Sequence, residues 1–392
     1  MKKEKTSLWT GYFTLLILMN LCNGIAGQMT IPLVAKFSLS LYPDITLAST
    51  AAGLMSLVSL VVCPFAGLLS DRLDRKKILF AASVGYGVSL LLHTCAVNIA
   101  ILIFLRLVTG VFFSVVTVTV VAFSTAFIPK ERLGEGLGYT ALAMILAQAF
   151  GPALGLKLME AFSYSATFIT SGLFALGCAA LLLLIPSHSE PKSGQRRRVV
   201  FSDLFAVEMT GFMLLAALFS SGSGLISTYL AILAEERSIA NIAVYFTLYS
   251  VCLVGLRPLA GKLLDQKGVY LILVPSVIFA ALEMFFVGLG YSLSVILIGS
   301  VCKALGQGVG IPSMQAHAVK QMDKAHAGVA TSTIMIGQNV GNALAPITGS
   351  FFVTSFGYEK MFCGFGAILL IAGMVILFLR HRRECSAGRE LC

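Results

Sequence analysis

Residues 64–71 read PFAGLLSD, and residues 258–265 read PLAGKLLD. The two octets share the pattern Pro-x-Ala-Gly-x-Leu-x-Asp and lie 194 residues apart, since 258 − 64 = 194. The same offset relates GPALG at 151–155 to APITG at 345–349, and RLG at 132–134 to HAG at 326–328. A constant offset at three places predicts two homologous halves of nearly equal length.

The composition is that of a membrane protein. Hydrophobic residues make up 57% of the chain and charged residues 12%, and the mean hydropathy is +0.91. A membrane-spanning helix needs about 20 mostly apolar residues. The sequence predicts twelve such spans, numbered in order, at 9–35, 47–70, 78–97, 99–128, 136–159, 164–186, 204–233, 239–264, 269–290, 293–316, 329–354 and 358–379.

The basic residues predict the orientation, because Lys and Arg concentrate in cytoplasmic loops. With the amino terminus inside, most of them fall in the even-numbered connections and near the termini, and the opposite side holds only Lys36, Lys157, Arg237 and Lys360. We therefore expect both termini in the cytoplasm. The net charge of +10 needs no nucleic-acid partner to explain it.

These patterns predict an all-α integral membrane protein made of two pseudo-symmetric six-helix bundles. We expect the N-terminal bundle at 1–186, a cytoplasmic linker at 187–203, the C-terminal bundle at 204–379 and a cytoplasmic tail at 380–392. Seven of the nine cysteines lie in or at the ends of apolar spans, so free thiols are expected. No pair of Cys and His residues has metal-ligand spacing, and the sequence predicts neither a metal nor another cofactor.

The tract from Gly67 to Lys77, GLLSDRLDRKK, resembles the G-x-L-x-D-R-x-G-R-K signature of the major facilitator superfamily, with Asp74 where glycine is usual. With the two six-helix repeats, the resemblance extends over the whole chain. Gly151-Pro152-x-x-Gly155 is similar to the antiporter signature of the superfamily's drug and metabolite exporters, although Leu156 replaces the second glycine, and Arg106-x-x-x-Gly110 resembles a third motif.

The first tract predicts a conformational latch. Asp71 ends span two at the cytoplasmic face, and the resemblance places it against the amino-terminal end of span eleven. A carboxylate at this positive helix end contributes about 0.3–2 kcal/mol, and the repeat implies a second latch at Asp265. The predicted latch residues are Gly67, Asp71, Arg72, Arg75 and Asp265. Anchoring of a basic loop at the membrane is the alternative.

The antiporter-like motif predicts a hinge. Pro152 has no amide hydrogen, so its helix lacks the bond to the carbonyl of Gln148 and is able to kink there. Gly151 and Gly155 form a small-xxx-small face that allows close helix approach. Pro346 and Gly349 repeat the pattern in span eleven. The alternative is that these residues serve ordinary helix packing.

The resemblance implies a central cavity lined by spans one, four, seven and ten. Polar residues in spans one, four and ten recur mostly at steps of three and four, as one helix face requires. Asn20, Asn23 and Arg106 would be costly in contact with lipid. The predicted cavity residues are Asn20, Asn23, Gln28, Arg106, Thr109, Phe113, Tyr229, Lys303 and Gln307.

The energy source is predicted to be a proton gradient, which the resemblance implies. The chain has no G-x-x-x-x-G-K-[ST] segment, so it is not expected to use ATP directly. Proton coupling needs a group that titrates within the membrane, and the candidates are Glu208, Glu283 and His93. Span one, where relatives often place an acid, has only Asn and Gln at such positions.

The charges within the spans bear on the substrate. Between Ile78 and Met159 the only acids are Glu131 and Glu135, which lie in a predicted connection, and Lys303 would add a second intramembrane cation to Arg106. We therefore predict a net positive cavity that favours an anionic or zwitterionic substrate. The alternative is an internal ion pair, because Glu283 and Lys303 lie at predicted depths that differ by only about 6 Å.

The combined prediction is a monomeric, multi-pass secondary transporter of the cell membrane that exports a small drug or metabolite by alternating access in exchange for protons. The alternatives within this class are a substrate–proton symporter and a facilitator. A non-transporting receptor would need an output domain, and only thirteen residues follow Leu379. An enzyme is not predicted, since no nucleophile and base are spaced as a catalytic pair.

Overall fold

A computed structural model describes residues 8–129, 132–186, 206–321 and 327–386, and the secondary structure within these ranges is helical. Helices satisfy their own backbone hydrogen bonds, as a chain in lipid requires. The helices of the N-terminal half are α1 (Gly11–Leu41), α2 (Ile45–Arg72), α3 (Arg75–Leu92), α4 (Ile99–Thr125), α5 (Leu133–Ala161) and α6 (Tyr164–Leu183). A short 3₁₀ helix, His93–Cys95, follows α3.

The C-terminal half begins, within the described residues, with a 3₁₀ helix at Val207–Met209. Its α-helices are α7 (Thr210–Glu236), α8 (Val244–Lys267), α9 (Tyr270–Leu289), α10 (Leu293–Lys303), α11 (Val309–Gln321) and α12 (Ala327–Ser386). A π-helical turn, Ala304–Gly308, joins α10 directly to α11. We call this turn the π segment.

Side-chain caps fix where several helices begin. The Asp44 carboxylate accepts from the backbone N–H of Thr46 at 2.7 Å and starts α2. Asn98 accepts from the N–H of Ile101 at 2.9 Å and starts α4. Asp, Asn, Ser and Thr are favoured here because their side-chain oxygens satisfy otherwise unpaired N–H groups of the first turn. The short polar connections of the sequence therefore encode helix starts.

Two glycines mark helix boundaries where the backbone adopts a positive φ. Gly268, with φ of 80°, ends α8, and Gly357, with φ of 79°, divides α12 into two helical parts. Glycine adopts this conformation without the strain that a Cβ atom imposes. Gly357 lies between the predicted ends of spans eleven and twelve, and α12 continues to Ser386, beyond the predicted end of span twelve at 379.

Ten helices in the described residues are long and apolar enough to cross a membrane. One of them, Val329–Arg383, has 55 residues and is much longer than one crossing requires, while the apolar part of α8 is short, at Val244–Arg257. The chain is therefore a multi-pass membrane protein. The number of twelve spans and the cytoplasmic termini stay predictions.

The chain divides into two compact units. The first is Met1–Pro43 with Val58–Gln195, and the second is Asp44–Leu57 with Arg196–Cys392. Helix α2 therefore contributes to both. Each unit has its own apolar core: Met19, Tyr86 and Phe123 lie in the first, and Phe212, Phe219 and Met284 lie in the second. The predicted linker, 187–203, lies outside the described residues.

Candidate functional site

A polar cluster surrounds Arg106 of α4 in the first unit. The side chain of Arg106 is buried and interacts electrostatically with Tyr86 of α3 and with His93. Thr109, three residues after Arg106, donates a hydrogen bond of 3.0 Å to Oγ of Ser89. The predicted cavity residues Arg106 and Thr109 thus face α3, and the proton-coupling candidate His93 belongs to the same cluster.

His93 and Tyr86 are fully buried and retain hydrogen-bonding capacity within this cluster. Nδ1 of His93 lies 2.8 Å from the carbonyl oxygen of Ser89, while its Nε2 has no described hydrogen-bond partner. The hydroxyl of Tyr86 also has none. The ring of Tyr86 packs against the ring of Phe113, with centroids 5.6 Å apart. Phe113, a predicted cavity residue, therefore serves in part to pack α3 against α4.

The polar residues predicted on span one lie on α1 in different environments. Asn20 and Asn23 are buried, and Nδ2 of Asn20 donates to the carbonyl oxygen of Leu16 at 3.3 Å. Gln28 is half-buried and lies where α1 meets Gly151 of α5. Burial of both asparagines agrees with the cost of placing them in lipid. The described hydrogen bond of Asn20, however, is made to its own helix.

The predicted hinge glycines of α5 form a close contact with α1. A methyl group at Gly151 would lie 2.5 Å from Cβ of Gln28, and one at Gly155 would collide with the backbone carbonyl of Met29. Ala147 continues the stripe, since a methyl group at Gly24 would lie 2.6 Å from its Cβ. Small residues at every fourth position let the two helix backbones approach. Gly151 and Gly155 therefore serve to pack α5 against α1, and their function in a hinge stays a prediction.

An equivalent stripe joins α12 to α7 in the second unit. Adding 194 to 143, 147, 151 and 155 gives Gly337, Gly341, Ala345 and Gly349. A methyl group at Gly337 or Gly341 would collide with a backbone carbonyl of α7, and one at Gly349 would lie 2.6 Å from Leu225. The sequence repeat is thus matched by the same kind of helix contact in both units.

Tyr229, a predicted cavity residue on α7, is fully buried and uses its hydroxyl for contacts inside the second unit. The hydroxyl donates to the carbonyl oxygen of Pro346 at 2.6 Å and lies 2.6 Å from Oγ of Ser49. Ser49 lies in the part of α2 that belongs to this unit. Tyr229 therefore links α2, α7 and α12, a connection that the sequence does not reveal.

A buried ion pair lies between α9 and α10. Nζ of Lys303 is 3.5 Å from Oε1 of Glu283, and both side chains are at most 5% exposed. The hydroxyl of Tyr245 in α8 donates to the same Oε1 at 2.6 Å. The ion pair between Glu283 and Lys303, which is the alternative to a net positive cavity, is thus present. The prediction of a net positive cavity counts Lys303 as an intramembrane cation, but Glu283 neutralises this charge.

Aromatic and polar groups surround this pair, and we call Tyr245, Tyr249, Glu283 and Lys303 the charge cluster. Nζ of Lys303 lies 5.4 Å from the ring centroid of Tyr249 and 5.9 Å from that of Tyr245, within the range of cation–π attraction. Ser300 donates to the backbone oxygen of Tyr245 at 2.9 Å and ties α10 to α8.

The predicted cavity residue Gln307 lies on the π segment, four residues after Lys303. It is 9% exposed, and its Oε1 has no described hydrogen-bond partner. A π-helical turn inside an α-helix often marks a functional site. The charge cluster and Gln307 thus bring a carboxylate, an ammonium and an amide to one region of the second unit.

Glu208 does not share this environment. Span seven was predicted to begin at 204, but α7 begins at Thr210, and Glu208 lies exposed in the preceding 3₁₀ helix. Its backbone oxygen accepts a hydrogen bond of 3.0 Å from Arg380. The apolar span that contains α7 starts at Val207, so Glu208 lies at the end of this span, and its function in proton binding stays a prediction. Of the three candidates, only His93 and Glu283 are buried.

The predicted latch is described only in part. The side chains of Asp71, Arg72 and Asp265 lie outside the described part of the structure, and a methyl group at Gly67 would meet no atom within 4 Å. Arg75 donates to the carbonyl oxygens of Ser70 at 3.4 Å and Ala122 at 3.3 Å. It thereby connects the ends of α2 and α4 with the start of α3.

Asp74, which departs from the signature, has a structural function. Its Oδ1 accepts from the backbone N–H groups of Lys76 at 2.9 Å and Lys77 at 3.4 Å. Asp74 is therefore the N-cap of α3, where a side-chain oxygen satisfies N–H groups that have no partner inside the helix. The aspartate replaces the flexibility of glycine with a fixed helix start.

Comparison with known proteins gives the family. A sequence model described as Major Facilitator Superfamily matches residues 16–282 and 212–390. The chain belongs to the major facilitator superfamily. Members of this superfamily are transporters and not enzymes.

Two curated superfamily relatives match most of the chain. The uncharacterised MFS-type transporter YuxJ of Bacillus subtilis is 27% identical over 344 residues, which are 84% of this chain and 87% of that protein. The multidrug resistance protein MdtG of Escherichia fergusonii is 27% identical over 352 residues, which are 84% of this chain and 83% of that protein.

A solved structure shows the same superfamily fold. The nucleoside transporter NupG aligns with a TM-score of 0.76 over 94% of this chain and 99% of that chain, at 10% sequence identity. At this identity the likeness concerns the fold alone. The sequence does not predict Tyr245 and Tyr249 as site residues. Both lie on α8, and the predicted cavity is lined by spans one, four, seven and ten.

Proposed function

We propose that this superfamily member exports a small organic molecule, a drug or a metabolite, in exchange for protons. The observation that carries the proposal is the similarity to the multidrug resistance protein MdtG, which extends over 84% of the chain. The antiporter-like motif at Gly151 and Pro152 supports the same direction of transport. The proposed location is the cell membrane, with twelve spans, both termini in the cytoplasm and a monomeric protein.

Alternating access is the proposed mechanism, with two halves that move around a site near the membrane midplane. The two small-residue stripes support it, because they hold α1 against α5 and α7 against α12 as closely packed pairs. Packed pairs of this kind transmit motion as units. The hinge at Pro152 and Pro346 and the latch at Asp71 and Asp265 are the proposed moving parts.

The proposed substrate contacts are the polar side chains that the structure keeps inside the units. In the first unit these are Asn20, Asn23 and Arg106, all of them buried. In the second unit they are Lys303 and Gln307. His93 and Glu283 are the proposed proton-binding groups, because both are buried beside a basic residue, Arg106 for His93 and Lys303 for Glu283.

Transport in proteoliposomes tests this proposal. The purified chain is reconstituted, a pH gradient is imposed, and proton flux is recorded with a pH-sensitive dye while a panel of cationic, neutral, zwitterionic and anionic compounds is added. Exchange predicts proton flux opposite to that of at least one compound, abolished by a protonophore. Compound movement without proton flux would favour a facilitator, and no movement of any compound would favour a non-transporting receptor.

Substrate–proton symport is a second candidate, and a specific observation favours it. The carboxylate of Glu283 and the ammonium of Lys303 form one buried pair, so binding of a proton to the first changes the charge that surrounds the second. For an anionic substrate this effect favours symport, because a proton on Glu283 leaves the ammonium of Lys303 without its counter-ion and the anion would replace it. The flux assay separates the two candidates, because symport moves protons and substrate the same way.

A further inference from the structure

We propose that the charge cluster is a proton-linked anion site, at which a proton on Glu283 and an anion beside Lys303 bind together. The ligand class is a small organic monoanion, such as a carboxylate. The proposal rests on the second candidate function, substrate–proton symport, in one respect: the anion is taken to be the transported molecule. It goes further because it specifies the charge of the substrate that would be transported together with protons.

The geometry leaves Lys303 able to exchange its counter-ion. The distance of 3.5 Å between Nζ and Oε1 of Glu283 is longer than the 2.7–2.9 Å of a strong charge-assisted hydrogen bond. The hydroxyl of Tyr245, at 2.6 Å, makes the shorter contact with the same oxygen. The tyrosine therefore fixes Glu283 in place, while the lysine is attached mainly by charge and by two aromatic faces.

Charge neutrality determines how the two ligands interact. Among the described residues, the titratable and charged groups that face Glu283 are Tyr245 and Tyr249 from α8 and Cys302 and Lys303 from α10. As long as Glu283 is ionised and Lys303 is protonated, their charges cancel. A proton on Glu283 leaves the buried ammonium without a counter-ion, which is costly, and an anion beside Lys303 restores neutrality.

An anion without the proton is unfavourable for the same reason. It would place a second negative charge beside Glu283, with one ammonium to neutralise both. Each ligand therefore strengthens the binding of the other, and the factor is the same in both directions because the two equilibria are linked. Ligands that bind the same state cross the membrane together, so an anion that uses Lys303 would move in the same direction as the proton.

The π segment supplies a further group for the anion. The amide of Gln307 is nine-tenths buried, and one of its two polar ends has no described hydrogen-bond partner. The unpartnered end is the oxygen Oε1, and a rotation of about 180° about the last side-chain bond exchanges it with the N–H₂ group. After this rotation the unpartnered position would hold an N–H₂ donor, which is able to bind a carboxylate, whereas the oxygen is not. A buried polar group without a partner costs free energy unless a ligand or water satisfies it.

The test uses the full chain in lipid nanodiscs, with benzoate as the anionic probe and benzamide as its neutral isostere. Infrared difference spectra during an acid titration report the carbonyl band of protonated carboxyl groups, and loss of a band in Glu283→Gln assigns that residue. We expect benzoate to raise the proton affinity of Glu283 by about fivefold or more. Benzamide should leave it unchanged.

Equilibrium dialysis of labelled benzoate gives the reciprocal measurement. The affinity should rise by the same factor between high and low pH in the parent chain, and it should be independent of pH in Glu283→Gln. Lys303→Met should remove benzoate binding, whereas Lys303→Arg should keep it. Glu160→Gln is the matched control, because Glu160 is an exposed acid in the other unit, and it should behave like the parent.

A Glu283 titration that benzoate does not change would overturn the proposal, and so would equal effects of benzoate and benzamide. Since removal of one partner of a buried pair destabilises proteins, the double variant Glu283→Gln/Lys303→Met is included to remove both charges. If it binds benzoate as the parent does, the cluster is not the site. The linkage can hold while symport fails in proteoliposomes, and transport can occur without the linkage, so the two proposals fail separately.

Discussion

The hydroxyl of Tyr245 lies 2.6 Å from Oε1 of Glu283 and donates a hydrogen bond to it. This contact joins α8 to α9 inside the second unit, where both side chains are buried. A buried carboxylate depends on such donors, because it has exchanged the hydrogen bonds of water for those of the protein. Tyr245 is therefore expected to stabilise the fold as well as to position Glu283.

Replacing Tyr245 with Phe should lower the free energy of unfolding by about 1.5–3 kcal/mol, the range for a hydrogen bond to a charged group. Chemical or thermal unfolding in detergent measures the change. Tyr249→Phe is the matched control, since it keeps the ring near Lys303 and removes a hydroxyl with no described bond to Glu283. Equal losses in the two variants would contradict this prediction.

Replacing Gly155 with Leu should destabilise the protein by about 3 kcal/mol or more, because overpacking against a backbone is not relieved by a rotamer change. The added side chain would collide with the carbonyl of Met29. Gly138→Leu, on the same helix, is the control, as a methyl group there meets no atom within 4 Å. Thermal unfolding and the yield of folded protein measure the effect, and similar values for both variants would show that the α1–α5 contact yields easily.

Replacing Pro152 with Ala should restore an intrahelical hydrogen bond to Gln148 and make α5 stiffer. We expect transport to fall by more than the amount of folded protein does, since the change affects motion more than packing. Initial rates in proteoliposomes, divided by the amount of reconstituted protein, give the measurement. Transport at the parental rate would leave Gly151 to Gly155 with a packing function alone.

The latch predicts that Asp71→Asn and Asp265→Asn each increase cysteine labelling from the cytoplasmic side and lower turnover. Loss of about 1 kcal/mol changes a two-state ratio roughly fivefold, so labelling rates should change by a similar factor. Asp74→Asn is the control. Asparagine still caps α3, and the labelling rate should remain at the parental value. Unchanged labelling in both latch variants would leave the basic tract as a membrane anchor.

Tyr291, in the connection between α9 and α10, should titrate at an unusually alkaline pH. Its hydroxyl donates to Oε2 of Glu359 at 2.9 Å, and this hydrogen bond together with the nearby negative charge raises the pKa of Tyr291 above its ordinary value of 10.0. Because the folded state holds this proton more tightly, the contribution to stability is present below about pH 10 and is lost as the pH rises through the folded-state pKa.

Nuclear magnetic resonance of the chain with isotope-labelled tyrosine measures this titration, and Tyr291→Phe assigns the signal. Glu359→Gln should return the pKa of Tyr291 toward 10, which is the ordinary value for tyrosine. A titration that stays unchanged in Glu359→Gln would show that another group holds the proton. Arg237, whose guanidinium lies 4.3 Å from the centroid of the Tyr291 ring, acts in the opposite direction.

Much of the fold follows from the sequence because helix length and apolar content are local properties. The predicted spans leave gaps at 98 and at 355–357, and the structure has a cap at Asn98 in the first gap and a positive φ at Gly357 in the second. Glu208 shows the limit of this approach. Hydropathy places Glu208 inside span seven, and the apolar span of the structure includes it from Val207 onward, but hydropathy does not predict that the first turn is a 3₁₀ helix.

The contacts within the sites were harder to predict, since they join residues far apart in the chain. The sequence offers Glu283 and Lys303 as a possible ion pair because their predicted depths in the membrane are similar. Tyr245, however, lies on α8, which is not one of the four spans predicted to line the cavity. The link from Tyr229 to Ser49 spans 180 residues. No local pattern distinguishes these tyrosines from other aromatic residues of apolar helices.

The π segment changes how the two halves correspond. The spans Ile99–Thr125 and Leu293–Val319 each have 27 residues and start 194 positions apart, so the sequence alone gives them the same phase. In the second, the wider turn at Ala304–Gly308 lowers the rotation per residue, which is about 100° in an α-helix. Side chains after it, such as His317, therefore point in other directions than their counterparts on α4. The symmetry of the repeat is broken by the hydrogen-bonding pattern of one turn, without any insertion or deletion.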